Sequence, residues 1–352
     1  MNQGILNRRK ESVQISVVIP LFNGADKIEK CLSLLDQQTF SGAYEVIVVD
    51  DCSTDNSIDV VQSAIKTFRR PGNFKLIHHS VNGRAGKARN TGVKNAIGDY
   101  ILYIDQDDYP DITLLDTLYS LTEDGYYDCT YCDIMDKDGR EYHRENVCKL
   151  SVISHEERLK LMLKFGFVFS MLLRRKVLVD NNLWFPEKVM FEDALYNIGI
   201  LACINSINGT NQVLYYRTDD KNSQTSTLNK KKLSERINAS TLYLSIFASN
   251  PKIQKFQTIF YEFAFYYIYL SNVWWMILDR RLYTKELFER ALKSGRELHV
   301  NWDSVMKSQN QLKPIPKHIL KIVYYAPWTI GLLRIFGSAY SSLKHLLKGN
   351  RS

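Results

Sequence analysis

Several features that would point to secretion or to a repeat architecture are missing from this 352-residue chain. Its six cysteines have no regular spacing, which is typical of a protein in a reducing compartment. The first fourteen residues lack the apolar core of a signal peptide, and no internal repeat is visible, so we expect a cytoplasmic globular protein. An apolar content of 45% allows a sizeable core and argues against general disorder.

The charge points to an anionic partner without identifying it. A formal net charge of +8 attracts nucleotide phosphates, an acidic membrane surface or nucleic acid alike. No nucleic-acid-binding motif is recognisable, and the aromatic residues cluster in apolar segments instead of lying among basic residues. We therefore expect no nucleic-acid partner.

One C-x-x-C pair, Cys129 and Cys132, raises the question of a zinc or redox site, since His143 and Cys148 follow it. The pair lies in a segment that alternates like a β-strand. This pattern favours plain packing of the two side chains.

The first third of the chain alternates between strand and helix patterns. Continuous apolar, β-branched runs predict strands buried on both faces, and apolar residues at helical spacing follow each of the first two. The predicted strands are Ile15–Phe22, Glu45–Val49, Lys75–Ile77 and Tyr100–Ile104, and Gly86–Ala96 is predicted to be a helix. Such alternation predicts a parallel sheet flanked by helices, which binds ligands at the carboxyl ends of its strands.

After residue 110 the alternation becomes irregular. We predict strands at Phe167–Leu173 and Val213–Tyr216, a helix at Ala194–Ala202 and a polar linker at Lys221–Lys232. The expected organisation is a tail at residues 1–13, an α/β domain at 14–228 and a helical region at 229–352.

The helical region contains two segments that bear on membranes. Phe256–Leu278 is aromatic enough to resemble a span, but Glu262 and Asn272 lie within it, which favours a buried helix. The segment Ile315–Lys348 mixes apolar and basic residues, and it predicts either docking on an anionic membrane surface or a packed terminal helix. Docking would make the protein peripheral on the inner face of the cell membrane. The same region is also a candidate for homodimerisation or acceptor binding.

The sharpest chemical signal is the carboxylate cluster Asp105-x-Asp107-Asp108 at a predicted strand end. Carboxylates this close repel one another unless a cation is present. Mg²⁺ or Mn²⁺ binds a few carboxylates together with the oxygens of a diphosphate. The cluster therefore predicts a divalent metal site, with an acidic turn or helix cap as the alternative.

A second carboxylate pair, Asp50-Asp51, ends an earlier strand and predicts a hydrogen bond to a base or a ribose, or a helix cap. The basic segment Asn82–Asn90, with Lys87 and Arg89, suits phosphate binding at a helix N-terminus, or else it is a solvated loop. It is not a P-loop, because Gly86-Lys87 precedes alanine instead of serine or threonine.

Taken together, these segments resemble family 2 glycosyltransferases, which have the GT-A fold, a Rossmann-like mostly parallel sheet with flanking helices. The resemblance covers residues 14–228 and depends on several motifs in the right order. These are Val17–Asn23, Val48–Asp55, Ala88–Asn90, Asp105–Asp108, Trp184–Pro186, Glu192-Asp193 and Leu214–Arg217.

The resemblance implies roles at the donor. Pro20 and Asn23 would border the nucleotide, and Asp51 would contact the base, with Asp50 as the weaker candidate. Arg89 would lie near the diphosphate. Cys52 stands where the family often has glycine, and the basic residues before Ala88 leave the donor preference open.

The resemblance also implies roles in the reaction. Asp105 would lie near the ribose and the metal, and Asp107 would hold the metal. Asp193 would be the catalytic base, with Glu192 beside it. The implied activity is inverting transfer from a nucleotide-sugar donor, with UDP as the expected nucleotide, to a glycan or glycolipid acceptor, as in cell-surface polysaccharide synthesis.

Two other functions remain open at this stage. A nucleotidyltransferase of similar fold would make a nucleotide sugar, although the acidic pair Glu192-Asp193 on the acceptor side argues against it. A non-catalytic scaffold would only bind the nucleotide sugar, although the intact carboxylate set argues against that.

Overall fold

A computed structural model describes residues 13–143, 154–162, 168–189, 192–218, 228–247, 250–307 and 317–335. The chain divides into two compact units, Met1–Lys221 and Asn222–Ser352. Cys148, part of the zinc alternative, lies outside the described residues, as do parts of the predicted strand at 167–173, linker and C-terminal segment.

The first unit contains one sheet, with nine strands among the described residues, in the order β3-β2-β1-β4-β8-β6-β9-β5 and with β7 paired to β6. The strands are β1 (Ile15–Leu21), β2 (Tyr44–Asp50), β3 (Phe74–His78), β4 (Tyr100–Tyr103), β5 (Tyr109–Pro110), β6 (Cys129–Met135), β7 (Glu141–Tyr142), β8 (Met171–Arg174) and β9 (Ile207–Tyr216).

The half of the sheet built from β1 to β4 is parallel, as the apolar runs predict. Every residue of β1, β2 and β4 is buried, since helices cover both faces of a parallel sheet. The described helices of this unit are α1 (Ile28–Asp36), α2 (Ser57–Thr67), α3 (Arg84–Asn95), α4 (Leu114–Ser120), α5 (His155–Met162), α6 (Arg175–Asp180) and α7 (Glu192–Cys203).

The other half of the sheet contains both parallel and antiparallel strands. The predicted parallel arrangement therefore holds for β1 to β4 but not for the whole sheet. Strand β8 lies between β4 and β6 and is antiparallel to both. Strand β9 has ten residues, and the sequence predicts only its last four, Val213–Tyr216. Its middle, Gly209–Gln212, is polar and partly exposed, so that part gives no apolar strand pattern.

The described part of the second unit is helical, as predicted. Its helices are α8 (Lys230–Phe247), α9 (Pro251–Gln254), α10 (Gln257–Phe265), α11 (Ser271–Leu278), α12 (Lys285–Glu297), α13 (Trp302–Lys307) and α14 (Lys317–Tyr325). Helix α8 begins at Lys230, so the last three residues of the predicted linker are helical instead. A π-helical turn, Tyr266–Leu270, joins α10 to α11.

The aromatic segment α10–α11 contributes much of the core of the second unit. Phe265 and Tyr269 are fully buried there, together with residues of α8, α12, α13 and α14. Glu262 is partly buried and accepts a hydrogen bond from Ser304, so this polar group of the segment is bound by the protein itself. In the described part of the chain, every helix is too short or too polar to span a bilayer.

Candidate active site

The carboxyl ends of β1, β2 and β4 meet at one edge of the sheet. Leu21 at the end of β1 lies opposite Asp50, and Val18 lies opposite Tyr103, two residues before Asp105. The Gln106 side chain pairs with both backbone polar groups of Phe22, at 2.7 and 3.2 Å. Both predicted carboxylate clusters therefore lie at the same edge, as the parallel topology requires.

The first cluster, Asp50-Asp51, is paired with two histidines that belong to none of the motifs named above. Asp50 is fully buried, with its Oδ2 2.6 Å from Nδ1 of His78. Asp51 is also buried, with its Oδ1 2.8 Å from Nδ1 of His79. The His78-His79 doublet at the end of β3, the neighbour of β2, is the sequence signal that could have revealed these pairs.

Asp51 also organises the loop that precedes α3. Both of its carboxylate oxygens accept the backbone N–H of Gly83 at 3.0 Å, and its carbonyl accepts from the Asn82 side chain at 2.8 Å. His79 in turn contacts Thr91 on α3, at 2.9 Å. The contact of Asp51 with a nucleotide base stays a prediction, as does the weaker role of Asp50.

The turns after β1 and β2 interlock beside this cluster. Pro20 is buried within β1. Asn23 has a φ of 48°, and its Oδ1 accepts the Thr54 N–H at 2.8 Å while its own N–H donates to Ser53 Oγ at 3.0 Å. Cys52 has a φ of 65°, in the left-handed region that favours the glycine common at this place in the family.

In the second cluster, Asp105, Asp107 and Asp108 have different environments. Asp108 is buried, and its carboxylate accepts hydrogen bonds from the Tyr215 hydroxyl at 2.7 Å and the Thr218 N–H at 2.9 Å. Burial, and then repulsion from Asp105, raises the pKa of Asp107 to about 6. Burial and the charges of Asp105 and Asp107 raise the pKa of Asp108 further, to about 8, so a cation at this cluster would stabilise the negative charge of both residues.

This cluster fits a divalent ion that shares its ligands with a substrate. Among the residues that the structure describes, no three His, Cys, Asp or Glu side chains converge to hold a metal ion. A hard cation bound by Asp105 and Asp107 would therefore take further oxygens from elsewhere, and Mg²⁺ is commonly bound by one or two carboxylates and substrate phosphates.

Arg89 on α3 joins the cluster to the second predicted catalytic region. Its Nη2 donates to Asp105 Oδ1 at 2.8 Å, and its Nη1 donates to Glu192 Oε1 at 2.5 Å. Burial lowers the pKa of Arg89, but the charges of Asp105 and Glu192 outweigh this effect, so the pKa is raised overall. The guanidinium also lies 5.2 Å from the ring of Phe185.

Glu192 and Asp193 form the first turn of α7, where a helix dipole favours negative charge. Burial, and then repulsion from Glu192, raises the pKa of Asp193 to about 6, while Arg89 opposes the rise. A carboxylate with such a pKa is protonated slightly below neutral pH and can accept a proton near neutral pH.

Lys87 lies two residues before Arg89 on α3, and its Nζ is 3.4 Å from the Val81 carbonyl oxygen. Helix α3 begins at Arg84, two residues before the predicted start. A phosphate-binding role for Lys87 stays a prediction, as it does for Arg89.

The C-x-x-C pair is part of the sheet. Cys129 and Cys132 are both buried in β6, neither forms a disulfide, and the Cys132 thiol lies 3.9 Å from the Ser170 carbonyl oxygen. Burial in a strand agrees with the packing interpretation.

Comparison with known proteins gives a family and a fold. Residues 16–180 match the model described as glycosyl transferase family 2. The chain is 28% identical over 233 residues to the uncharacterized glycosyltransferase EpsJ of Bacillus subtilis (strain 168), a match that covers 63% of this chain and 66% of that protein. The chain spans from 32% to 66% of the length of the first curated relatives it matches.

Two solved structures share the overall fold. TarS 1–349 of S. aureus, in complex with UDP-GlcNAc, has a TM-score of 0.71 at 21% identity, covering 94% of this chain and 92% of that chain. The mannosyltransferase PcManGT from Pyrobaculum calidifontis, in complex with GDP-Man and Mn²⁺, has a TM-score of 0.52 at 15% identity, covering 95% and 88%. These likenesses confirm the GT-A fold, and residues 16–180, a little under half of the chain, are similar to glycosyl transferase family 2.

Proposed function

We propose that the chain is an inverting glycosyltransferase that moves a sugar from a nucleoside-diphosphate donor to an acceptor hydroxyl. The observation that carries the proposal is the pair of hydrogen bonds from Arg89 to Asp105 and Glu192. These bonds join the carboxylate cluster after β4 to the acidic pair at the start of α7. The carboxylates suited to hold a metal and the carboxylate suited to act as a base therefore belong to one site.

Asp193 is the general base of the proposed reaction. It removes the proton of the acceptor hydroxyl while that oxygen attacks the anomeric carbon and the bond to the diphosphate breaks. A positioned general base contributes about 10²–10⁴ in rate. Because the displacement is single, the anomeric centre inverts, and an α-linked donor gives a β-linked product.

Asp107 and Asp105 would hold a divalent ion, Mn²⁺ or Mg²⁺, together with the diphosphate. Such an ion would neutralise the negative charge that develops on the leaving diphosphate. Arg89 keeps Asp105 in place from the protein side, and Lys87 adds a positive charge on the same helix.

The relatives support the finer parts of the proposal. TarS is solved with UDP-GlcNAc, which supports a UDP-sugar donor, and PcManGT is solved with GDP-Man and Mn²⁺, which supports a divalent metal. TarS is named a poly(ribitol-phosphate) β-N-acetylglucosaminyltransferase, which supports a polymer with free hydroxyl groups as the acceptor; a glycan or glycolipid of the cell surface stays our expectation. The homodimer and membrane expectations concern the second unit, and neither follows from the chemistry of this site.

The test of the base compares Asp193→Asn with Asp59→Asn, an exposed aspartate on α2. We expect Asp193→Asn to lose at least about 100-fold in transfer, because it removes the general base, and to bind UDP like the parent. Asp59→Asn should change neither quantity. Near-normal turnover of Asp193→Asn would contradict the assignment of the base.

The test of the donor site uses Asp107→Asn. We expect its calorimetric affinity for UDP to become nearly independent of Mn²⁺, whereas the parent binds more tightly with the ion. An unchanged Mn²⁺ effect would place the ion elsewhere. A chain that binds UDP but transfers to none of a panel of glycan and glycolipid acceptors would favour the scaffold function instead.

A further inference from the structure

The two units of the chain carry opposite net charges. Residues 1–221 contain 26 basic and 31 acidic side chains, a net charge of −5, whereas residues 222–352 contain 20 basic and 7 acidic ones, a net charge of +13. The chain's net charge of +8 therefore does not come from the unit that contains the candidate active site. It calls for a separate explanation in the second unit.

The imbalance is greatest at the C-terminal end of the sequence. Asp303 is the last acidic residue, and eight lysines and arginines follow it. The chain has 46 basic and 38 acidic residues, so the part up to Asp303 contains 38 of each. An acid-free basic segment of this kind is attracted to an anionic surface over its whole length.

The described part of this segment also exposes large apolar side chains in a row. We call these five residues the C-terminal stripe: Ile322, Tyr325, Trp328, Leu332 and Ile335, with exposed fractions of 56%, 66%, 73%, 55% and 57%. They account for five of the eleven exposed large apolar residues in the described part of the chain. Ile322 and Tyr325 lie one turn apart on α14, which ends at Tyr325, and the other three residues follow at the same spacing of three or four positions.

Sequence neighbours of the stripe are fixed to the core of the second unit. Leu320, Val323 and Ile330 are buried in that core. The Tyr269 hydroxyl donates to the Leu320 carbonyl at 2.9 Å, and Arg296 donates to the Tyr324 carbonyl at 2.7 Å. The stripe is therefore the exposed part of a segment that is packed on the second unit, which agrees with the packed alternative.

Basic side chains accompany the stripe. Lys321 is one helical turn before Tyr325 on α14. Arg334 lies between Leu332 and Ile335 in the sequence, and its guanidinium is 3.8 Å from the ring centre of Tyr283. Arg280 is exposed, and its Nε is 3.4 Å from the Arg334 carbonyl oxygen. The apolar row thus lies beside positive charge, as in helices that lie in a membrane interface.

We propose that the C-terminal stripe inserts into the interfacial region of a bilayer that contains anionic lipids, with the surrounding lysines and arginines against the headgroups. The apolar side chains and the basic charge supply the two attractions that stable peripheral binding requires. An anionic bilayer fits this surface better than a second copy of the chain, because two copies would bring two basic surfaces together.

The experiment measures co-sedimentation of the full chain with phosphatidylcholine vesicles, with and without phosphatidylglycerol. We expect binding only to the anionic vesicles. The Trp328→Ser/Leu332→Ser variant should bind on the order of tenfold more weakly, because it removes apolar contact area. Lys321→Gln should bind about fivefold more weakly, as one basic charge near an anionic surface predicts.

The matched controls are exposed residues that do not belong to the stripe. Tyr126 is 71% exposed in the first unit, and Lys252 is exposed on α9, so Tyr126→Ser and Lys252→Gln should bind vesicles like the parent. Equal vesicle binding by the stripe variants and the controls would overturn the proposal. So would a parent dimer, measured by sedimentation velocity, that the Trp328→Ser/Leu332→Ser variant converts to monomer without any change in vesicle binding. Neither result depends on glycosyl transfer.

Discussion

Arg89 is the residue on which the two halves of the candidate site converge, since it contacts Asp105 and Glu192, which are 87 positions apart in the sequence. The order of the motifs predicts that these residues share a site. It does not predict that one arginine bridges the two carboxylates, because either carboxylate could instead face solvent. The resemblance places Arg89 near the diphosphate. The structure adds that its terminal nitrogens bind protein carboxylates.

The bridge predicts how acidity affects the reaction. Transfer requires the deprotonated form of Asp193, so kcat/KM should fall as the pH drops through about 6, the pKa of this carboxyl. Arg89 lowers that pKa. Arg89→Met should therefore move the acid limb of the kcat/KM profile to higher pH, in addition to lowering the plateau.

The control for this profile is Arg69→Met, which removes an arginine that is largely exposed and paired with Asp36. It should leave the acid limb in place. An Arg89→Met enzyme that is merely slower, with the limb still near the parent's pH, would show that Arg89 does not control the ionisation of Asp193.

Cys52 stands where the family often has glycine, and its backbone has the left-handed conformation that favours glycine. Its φ of 65° costs a residue with a Cβ about 1–2 kcal/mol relative to glycine. We expect Cys52→Gly to raise the free energy of unfolding by about 1 kcal/mol, after the greater flexibility of glycine in the unfolded chain is subtracted.

Urea denaturation measures this change, and Cys52→Ala is the matched control. Both variants lose the contact between the Cys52 thiol and the Ser80 carbonyl oxygen at 3.8 Å, but only glycine relieves the backbone. Equal stability of the two variants would mean that the left-handed conformation is not strained in this turn.

At the scale of elements, the sequence predicts the bounds of the parallel strands well, but it does not predict which strand pairs with β4 on its other side. Strands β1, β2 and β4 are continuous apolar runs that end in polar or acidic residues, so their bounds and the edge with the site follow directly. The insertion of β8 between β4 and β6 depends on contacts between residues about seventy positions apart, such as Ile101 with Leu173. No local pattern encodes such a pairing.

Helix α3 is held against the segment before α7, a contact that positions Arg89 beside Glu192. The Asn90 side chain exchanges two hydrogen bonds of 2.8 Å with the backbone of Phe185. A Cβ added at Gly86 would lie 2.4 Å from the Pro186 carbonyl oxygen and 3.5 Å from Glu192 Cγ. Glycine at this position lets the helix and the segment approach closely.

Gly86→Ala should therefore separate α3 from that segment. We expect a loss of about 1–3 kcal/mol in the free energy of unfolding, as for other overpacked positions, and a lower rate of transfer because Glu192 is displaced. Gly72→Ala is the control, since a Cβ there would meet no atom within 4 Å. Thermal denaturation and transfer assays of both variants check the expectation. A Gly86→Ala protein as stable and active as Gly72→Ala would contradict the close packing.

At the scale of the whole molecule, the composition predicts an anionic partner but not which part of the chain binds it. The sequence alone contains the charge asymmetry, yet its meaning depends on where the units divide and on which side chains are exposed. Deleting the residues after about 314 would also remove Leu320 and Val323 from the core of the second unit, so exposed single residues make better probes of that surface.

The asymmetry separates two kinds of anion binding in one chain. The unit with the candidate site has a net charge of −5 and a carboxylate cluster, so it repels a diphosphate unless a divalent cation is bound. We expect chelation of the metal to weaken UDP binding at least about tenfold, as the loss of one strong ionic contact predicts, in calorimetric titrations of the full chain.

Added NaCl should weaken UDP binding much less than it weakens binding to anionic vesicles, because exposed charges are screened more strongly than partly buried ones. Vesicle binding, in turn, should not require the metal. UDP binding that persists in chelator and falls steeply with salt would mean that the basic second unit, and not the carboxylate cluster, attracts the nucleotide.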